Sequence, residues 1–424
     1  MSLPSIAIVH YSASPVVGGV EAVIDAHARL LVGAGYPVTV VAGRGAASAL
    51  PAGSNFVEIA TMDTQHPAIL AASAQLDAGE VPADFATLTA QLRAALEPVL
   101  DAFDLVMAHN VFFKHFNLPL TAALFELLDA QKLPRTIAWG HDFTWTSPNS
   151  RSKVYDRYPW DLLRTYRPEM SYVAVSAQRQ RELADLLKIA PEQIRVVYNG
   201  VGADDLLGLS DEGAALVRRL GVYDAGIVLL MPVRVTKAKN IEFALAVVAT
   251  LKERGENPLL ILTGPPDPHD DQSMAYFRSL QRRRAELGVE DALRFVFESG
   301  PEPDSGLLIP PTTVGDLYRV ADVLFMPSHR EGFGMPVLEA GLAGVPVAAS
   351  TAVPAAVELA GDAALLFAPG EPPAAVARRL VEWLDANPVA RLRRRTRQRY
   401  TWEAIFVHDI EPLLAPPAER ERTS

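Results

Sequence analysis

The sequence contains no cysteine. This excludes disulfides, thiolate metal sites and cysteine nucleophiles, and it fits a reducing cytosol. No run of 18 apolar residues occurs, and residues 1–10 lack the basic start and long apolar stretch of a signal peptide. We therefore expect a cytoplasmic protein without a transmembrane segment.

Positive charge is also scarce relative to negative charge. The formal net charge is −11, which argues against broad nucleic-acid binding because phosphate neutralisation needs a dominant basic face. The chain has 424 residues, of which 49% are hydrophobic, so it is long enough for two domains that each bury a core.

Short apolar runs alternate with helical patterns along most of the chain. This order predicts parallel sheets, and ligands of such sheets bind beyond the carboxyl ends of the strands. Residues 201–224 have the composition of a linker. The predicted strands cover 6–11, 36–42, 104–110, 135–142, 171–176, 194–200, 226–232, 259–264, 293–297, 323–327 and a stretch near 363–367.

The most informative stretch runs from Glu331 to Glu339 and reads as a tight loop followed by a helix start. Gly332 and Gly334 permit positive φ or close approach of a ligand, and a helix beginning near Pro336 would offer the N–H groups of Val337 and Leu338 to a phosphate. Glu339 could then accept hydrogen bonds from ribose hydroxyls, with Glu331 several ångströms further on. The plainer reading is a capped turn with two solvated glutamates.

Several other loops follow predicted strands. Arg234 and Lys239 stand between a strand and a helix, where they would neutralise a diphosphate; a solvated basic loop is the alternative. Thr263 and Gly264 end a further strand. The Gly18-Gly19 pair opens the first helix, although on its own it indicates only a turn.

Taken in order, these motifs resemble the family 4 retaining glycosyltransferases. The resemblance rests on Glu331-x7-Glu339, Gly18-Gly19-Val20-Glu21, Asn199-Gly200-Val201 and Arg234-x4-Lys239. In that family an aspartate usually follows the Asn-Gly-Val turn at once, whereas here Asp204 comes three residues after Val201.

The resemblance implies the GT-B fold, an α/β architecture of two Rossmann-like doubly wound domains that face a central cleft. Residues 1–203 would form the acceptor-side domain and residues 204–395 the donor-binding domain. A helix at about 401–414 would pack back on the first domain, and residues 415–424 would form a disordered tail.

The resemblance also implies a role for each site residue. Glu339 would bind the ribose, Arg234 and Lys239 the diphosphate, and the Gly18-Gly19 loop would close over the diphosphate or the acceptor. Glu331 would orient the donor sugar and stabilise an oxocarbenium-like transition state, and His141 would stand beside the reactive carbon. The backbone from Gly332 through Phe333, Gly334, Met335 and Val337 to Leu338 would hold phosphate and sugar hydroxyls.

We therefore predict a retaining transfer of a hexose, glucose or mannose, from a UDP-, GDP- or ADP-sugar to a hydroxyl of a small soluble molecule or glycan. Two cations would replace a metal, and neither cofactor nor nucleic acid is expected. Contact with a membrane surface is left open. The alternatives are a sugar-nucleotide epimerase or phosphorylase-like enzyme of the same fold, and a non-catalytic nucleotide-sugar sensor.

Other motifs allow two interpretations. His109 and Asn110 end a strand and either reach the ligand or form a structural pair. The aromatic stretch 144–170 is either an acceptor wall or a surface loop. We interpret the aspartate-bearing turn 265–272 as a solvated loop rather than a metal site. Residues 298–301 are predicted to approach a nucleobase. We interpret the arginine-dense stretch 391–399 as a helix face rather than a lipid contact.

Overall fold

The computed structural model describes residues 3–267, 271–300 and 306–415. The chain divides into two compact units: one comprises the residues up to Gly200 together with the segment from Trp402, and the other comprises Val201–Thr401. No helix in the described part of the chain is long and apolar enough to cross a membrane.

The first unit contains a seven-stranded parallel sheet in the order β3-β2-β1-β4-β5-β6-β7. Its central strands are completely buried, which explains why they read as continuous apolar runs. The strands are β1 (Ile6–Val9), β2 (Val38–Ala42), β3 (Asn55–Glu58), β4 (Leu105–His109), β5 (Arg135–Gly140), β6 (Met170–Ala174) and β7 (Ile194–Val196). The helices are α1 (Gly19–Gly33), α2 (Pro67–Asp77), α3 (Phe85–Leu100), α4 (Leu118–Asp129) and α5 (Ala177–Leu187).

The second unit contains a six-stranded parallel sheet in the order β10-β9-β8-β11-β12-β13. Its strands are β8 (Ile227–Met231), β9 (Pro258–Leu262), β10 (Leu293–Phe295), β11 (Val323–Met326), β12 (Val347–Ser350) and β13 (Ala364–Phe367). Its helices are α6 (Ala203–Leu207), α7 (Asp211–Leu220), α8 (Ile241–Glu253), α9 (Asp271–Glu286), α10 (Pro311–Val320), α11 (Met335–Ala343), α12 (Pro373–Ala386) and α13 (Pro388–Arg399).

Both faces of the second sheet are covered. Alternate residues of β8 belong to two different hydrophobic clusters: Ile227, Leu229 and Met231 pack with α8 and α12, whereas Val228 and Leu230 pack with α7 and α10. A sheet buried on both faces is the doubly wound arrangement. The predicted fold class, two Rossmann-like α/β units, is confirmed.

After α13 the chain forms three short helical turns, α14 (Trp402–Ile405), a wide turn at Phe406–Ile410 and α15 (Glu411–Leu414). Trp402 is buried against Val23 and Ala26 of α1. Arg135, at the start of β5, donates a hydrogen bond of 2.9 Å to the carbonyl of Leu414. The segment is therefore fixed to the first unit by packing and by hydrogen bonds. The tail predicted for 415–424 lies, beyond Ala415, outside the described residues.

The arginine-dense stretch forms α13, and most of its cations have partners inside the protein. Arg397 pairs with buried Asp322 at 2.7 Å and donates to the carbonyls of Ala225 and Gly226. Arg394 pairs with Asp385. This agrees with the helix-face interpretation: Arg394 and Arg397 attach α13 to the rest of the second unit, whereas Arg391, Arg395 and Arg399 are exposed.

Replacing Arg397 with methionine should destabilise the second unit by about 3–5 kcal/mol, because Asp322 would remain buried without its counter-charge. Urea denaturation followed by circular dichroism measures the change. Arg399→Met is the matched control, since Arg399 is exposed on the same helix. Equal midpoints for the two variants would show that the buried pair contributes nothing.

Candidate functional site

In the second sheet the order in which successive strands are added changes direction between β8 and β11. From β8 the sheet extends through β9 to β10, and from β11 it extends the other way through β12 to β13. Such a switch point leaves a crevice at the carboxyl ends of the two central strands, which is where open α/β sheets bind ligands. The loops 232–240 and 327–334 follow these two strands.

Two predicted site residues meet across this switch point. Lys239 Nζ donates to both carboxylate oxygens of Glu331, at 2.6 Å to Oε1 and 2.8 Å to Oε2. Ser328 Oγ donates to Glu331 Oε1 at 2.8 Å. The side chains of Lys239 and Glu331 are only 21% and 10% exposed, so water screens the pair poorly.

The backbone around this ion pair is also fixed. Asn240 adopts a left-handed conformation with φ 53° and donates from Nδ2 to the carbonyl of Pro327 at 3.1 Å. The N–H of His329 donates to the carbonyl of Ala238 at 2.9 Å. The two loops are therefore held together on both sides of the pair.

Arg234, the second predicted cation, lies elsewhere in the same loop. It is exposed, and it makes no hydrogen bond or ion pair with any residue that the structure describes. The structure thus distinguishes the two cations: Lys239 is committed to Glu331, whereas Arg234 is available to an anion.

Helix α11 begins at Met335, one residue before the predicted start, with Gly334 as its N-cap at φ 104°. A Cβ at Gly334 would approach Val353 Cγ1 to 2.6 Å, so both conformation and space require glycine. One detail of the prediction is wrong: the N–H of Val337 is not free, because it donates to the carbonyl of Gly334 at 2.9 Å.

The remaining loop residues differ in exposure. Gly332 is exposed, has no positive φ, and a Cβ built on it would meet nothing within 4 Å. The space in front of it is therefore open to a ligand. Phe333, Met335 and Leu338 are 39%, 56% and 42% exposed, which is unusual for large apolar side chains.

A cavity of about 740 Å³ lies between α10 and α11 within the second unit. Thr263 and Glu339, both predicted site residues, contribute to its wall. The other lining residues are Pro232, Ile309, Pro311, Val314, Gly315, Tyr318, Arg319, Leu342 and Ala343. Its volume lies within the range of ordinary small-molecule sites.

Tyr318 is a residue of this cavity that the sequence analysis missed. Its hydroxyl donates to Glu339 Oε2 at 2.7 Å. Burial, together with the bond to the Glu339 carboxylate, raises the pKa of Tyr318, so the phenol stays protonated and keeps donating. Tyr318 lies 21 residues from Glu339 on a different helix, and no sequence motif links the two.

Gly264 has a packing role. A Cβ at this position would come within 2.3 Å of the carbonyl oxygen of Val233 and 2.7 Å of the Cα of Arg234. The loop after β8 therefore passes directly against the end of β9. Glycine is needed for this crossing whether or not a ligand binds.

In the first unit, His141 follows the end of β5. Its Nε2 lies 2.9 Å from Nδ1 of His109, at the end of the neighbouring strand β4, and its backbone N–H donates to Asn110 Oδ1 at 2.9 Å. Burial lowers the pKa of His141 to about 3, assisted by repulsion from His10. His141 is therefore uncharged at neutral pH.

A buried carboxylate that the sequence analysis did not predict as a site residue lies beside the Gly18-Gly19 loop. Glu21 is buried and accepts a 2.6 Å hydrogen bond from Ser12 Oγ. A Cβ at Gly18 would lie 2.0 Å from Glu21 Oε2, so a side chain there would displace this carboxylate, whereas a Cβ at Gly19 would meet open space. Glu21 is part of the Gly-Gly-Val-Glu motif, but the sequence alone did not indicate a role for its carboxylate.

The aromatic stretch is mainly structural. Trp145 and Trp160 are buried in a satellite core with Phe85 and Leu118, and Trp145 Nε1 donates to the carbonyl of Trp160 at 3.1 Å. Tyr158 is 51% exposed. This arrangement matches neither an acceptor wall of stacked rings nor a loose surface loop.

No group of three potential metal ligands occurs in the described ranges. The turn 265–272 and the stretch 298–301 each fall partly outside those ranges, at residues 268–270 and 301.

Two family models match the chain and together account for most of it. The model described as glycosyltransferase family 4 matches residues 17–205, and the model described as glycosyl transferases group 1 matches residues 215–400. The chain belongs to the family 4 glycosyltransferases.

Curated relatives align with about half of this family 4 member. D-inositol 3-phosphate glycosyltransferase of Streptomyces scabiei is 30% identical over 214 residues, which cover 50% of this chain and 46% of the relative. An uncharacterised glycosyltransferase of Methanocaldococcus jannaschii is 30% identical over 194 residues, covering 45% and 44%. The alignments thus span less than half of each relative.

Solved structures resemble this family 4 member weakly. HepE of Anabaena in complex with UDP-glucose is 19% identical, with 97% of this chain and 99% of that chain covered and a TM-score of 0.34. Sucrose-phosphate synthase of Thermosynechococcus elongatus is 16% identical, with 99% and 100% covered and a TM-score of 0.34. The family assignment rests on the two family models.

Acid should destabilise the first unit through its buried histidines. Burial lowers the pKa of His27 to about 3 from its ordinary value of 6.5. At a pH between these two values the imidazole is protonated in the unfolded chain but stays neutral in the folded protein. Stability should therefore fall as the pH drops from 6.5 towards 3. His27→Phe should make this dependence shallower, by up to about 1.4 kcal/mol per pH unit.

The measurement is urea denaturation at pH 7, 6 and 5, followed by tryptophan fluorescence, because four of the five tryptophans lie in the first unit. His408→Phe, at an exposed position, is the control. An unchanged slope in His27→Phe would contradict the assignment of a neutral buried imidazole.

Proposed function

We propose that this family 4 member transfers a hexose, with retention of configuration, from a nucleoside diphosphate sugar to a hydroxyl of a small soluble molecule or glycan. The observation that carries the proposal is the Lys239–Glu331 pair at the switch point between β8 and β11. Residues 204–395 would bind the donor and residues 1–203 the acceptor.

The nucleoside would occupy the cavity of about 740 Å³. Tyr318 holds Oε2 of Glu339, and no other described residue bonds to this carboxylate, so Oε1 remains for the ribose hydroxyls. A neutral phenol that donates to one oxygen keeps the carboxylate in a single orientation, which favours a two-point contact with a vicinal diol.

The diphosphate would lie over the open face of Gly332. Lys239 has three N–H donors, two of which are used by Glu331, so the third can reach a phosphate oxygen without breaking the ion pair. Arg234 has no partner among described residues and would supply the second cation. Together they would stabilise the charge that develops on the departing diphosphate, which makes a metal ion unnecessary.

Glu331 would face the donor sugar. Because Lys239 and Ser328 fix its carboxylate, it would orient sugar hydroxyls and stabilise positive charge at the reacting carbon without forming a covalent bond. The departing phosphate would take the proton of the acceptor hydroxyl on the same face, so configuration would be retained. The curated relatives named D-inositol 3-phosphate glycosyltransferases make a phosphorylated polyol the first acceptor to test.

Donor binding should depend on Glu339 and on Tyr318. We expect Glu339→Ala to weaken binding of the preferred nucleoside diphosphate at least tenfold, and Tyr318→Phe to weaken it about fivefold, from the usual values of charged and neutral hydrogen bonds. Isothermal titration with UDP, GDP and ADP measures both changes.

Glu382→Ala is the control for these titrations, because Glu382 is exposed in the same unit. Binding of none of the three nucleotides to the wild type would refute the donor site. Turnover of the donor sugar without an acceptor would instead favour an epimerase.

Transfer should require Lys239. Lys239→Met should lower kcat by about 100-fold or more, the usual effect of removing one donor that stabilises transition-state charge. Lys237→Met, at an exposed position of the same loop, should change kcat little. The anomeric configuration of the product, read by proton NMR, should match that of the donor. An inverted product, or equal activity of the two lysine variants, would contradict the mechanism.

A further inference from the structure

His141 is held at two points by the strand beside it. Strands β4 and β5 pair in parallel with His109 opposite Trp139. Asn110, at φ 60°, accepts hydrogen bonds from the N–H groups of His141 at 2.9 Å and Asp142 at 3.4 Å. This fixes the backbone of the turn that carries the His141 ring.

The imidazole of His141 is fixed separately. Nδ1 of His109 lies 2.9 Å from Nε2 of His141, and the two rings are nearly parallel, with centroids 5.3 Å apart. His109 is completely buried, whereas His141 is partly exposed. Burial lowers the pKa of both histidines, so the contact is a hydrogen bond between two neutral rings.

A hydrogen bond between neutral imidazoles permits only two arrangements. If His109 donates, His141 carries its proton on Nδ1; if His141 donates, its Nδ1 is a bare acceptor. Nε2 of His109 is buried and has no hydrogen-bond partner among the described residues, so a proton there would be an unsatisfied donor. The proton of His109 therefore belongs on Nδ1, which donates to Nε2 of His141 and leaves the His141 proton on Nδ1. A free histidine would instead exchange between the two tautomers.

His109 is anchored in turn from the other side. Nδ1 of His10, one residue beyond β1, donates to the carbonyl of His109 at 2.8 Å. The ring of His27 on α1 contacts the His109 ring at a centroid distance of 5.3 Å without a hydrogen bond to His141. Because it touches His109 from within the core, His27 is suited to be a matched control.

We infer that His109 is a positioning residue that holds His141 in one neutral tautomer, so that Nδ1 of His141 has a single hydrogen-bonding role towards a ligand of the first unit. The effect on sugar transfer rests on the proposed function, but the tautomer itself is a property of the ligand-free protein. A hydrogen bond to one ring nitrogen determines which role the other nitrogen of a histidine has towards a ligand.

The test compares three variants of the full chain. His109→Leu removes the hydrogen bond, His109→Asn places an amide where Nδ1 stood and can restore it, and His27→Phe alters the neighbouring ring only. ¹⁵N NMR of the labelled imidazoles reports the tautomer of His141, whose signals are assigned by their loss in His141→Gln. Thermal melting shows which variants remain folded.

We expect one tautomer of His141 in the wild type, in His27→Phe and in His109→Asn, and a mixture of tautomers in His109→Leu. Where transfer is measured, His109→Leu should lower kcat by about tenfold, the lower end of what such supporting partners contribute, with partial recovery in His109→Asn. The KM for the donor should change less than kcat.

A mixture of tautomers already present in the wild type, or the same single tautomer in His109→Leu, would overturn the inference. If His109→Leu is unfolded, the wild type still decides it, because a hydrogen bond between the rings couples ¹⁵N of His109 Nδ1 to ¹⁵N of His141 Nε2 through the shared proton, and absence of this coupling would overturn the inference. If no sugar transfer is found with any donor, the NMR result still stands or falls on its own, so failure of the proposed function is recognised separately.

Discussion

The hydrogen-bonded ion pair of Lys239 and Glu331 fixes the switch point of the second sheet. The pair joins the loops that follow β8 and β11, the two strands between which the sheet changes direction. Separating two charges that are mostly shielded from water costs free energy, because each would then be buried without a counter-charge. The pair therefore fixes the geometry of the two loops more than it adds to the stability of the fold. Gly332, Gly334 and the start of α11 follow Glu331 directly in the chain.

The two units differ in the interaction that joins the strand ends at the switch point of the sheet. In the first unit the switch point lies between β1 and β4, and it is joined by the neutral hydrogen bond from His10 to the carbonyl of His109. In the second unit it is joined by opposite charges. A doubly wound sheet always opens a crevice at this place, and the residues that bridge it determine what it can bind.

Local patterns were sufficient to predict most of the fold. Strands such as β8, which are buried along their whole length, appear as unbroken apolar runs, and the glycine–proline loop before α11 marks a helix start to within one residue. Strand β3 was missed because it is partly exposed and lacks such a run. The ten buried residues of α4 leave almost no polar stripe, so its sequence lacks the amphipathic pattern that marks a helix.

Pairings between distant residues could not be predicted. Glu331 and Lys239 are 92 residues apart, and their motifs were each assigned to a ligand rather than to one another. The same applies to His109 and His141, 32 residues apart. A motif gives the type of residue at a strand end, but which strand ends are neighbours depends on sheet order, which local sequence does not contain.

The neutral histidine of the first unit and the cations of the second unit differ in the ligands that they can recognise. Burial lowers the pKa of His141, so its ring is uncharged at neutral pH and offers hydrogen bonds but no charge. In the second unit Arg234 is exposed and has no partner among the described residues. Its guanidinium keeps its positive charge at any physiological pH. His141 can therefore recognise a ligand only by hydrogen bonds, whereas Arg234 can also attract an anion by its charge.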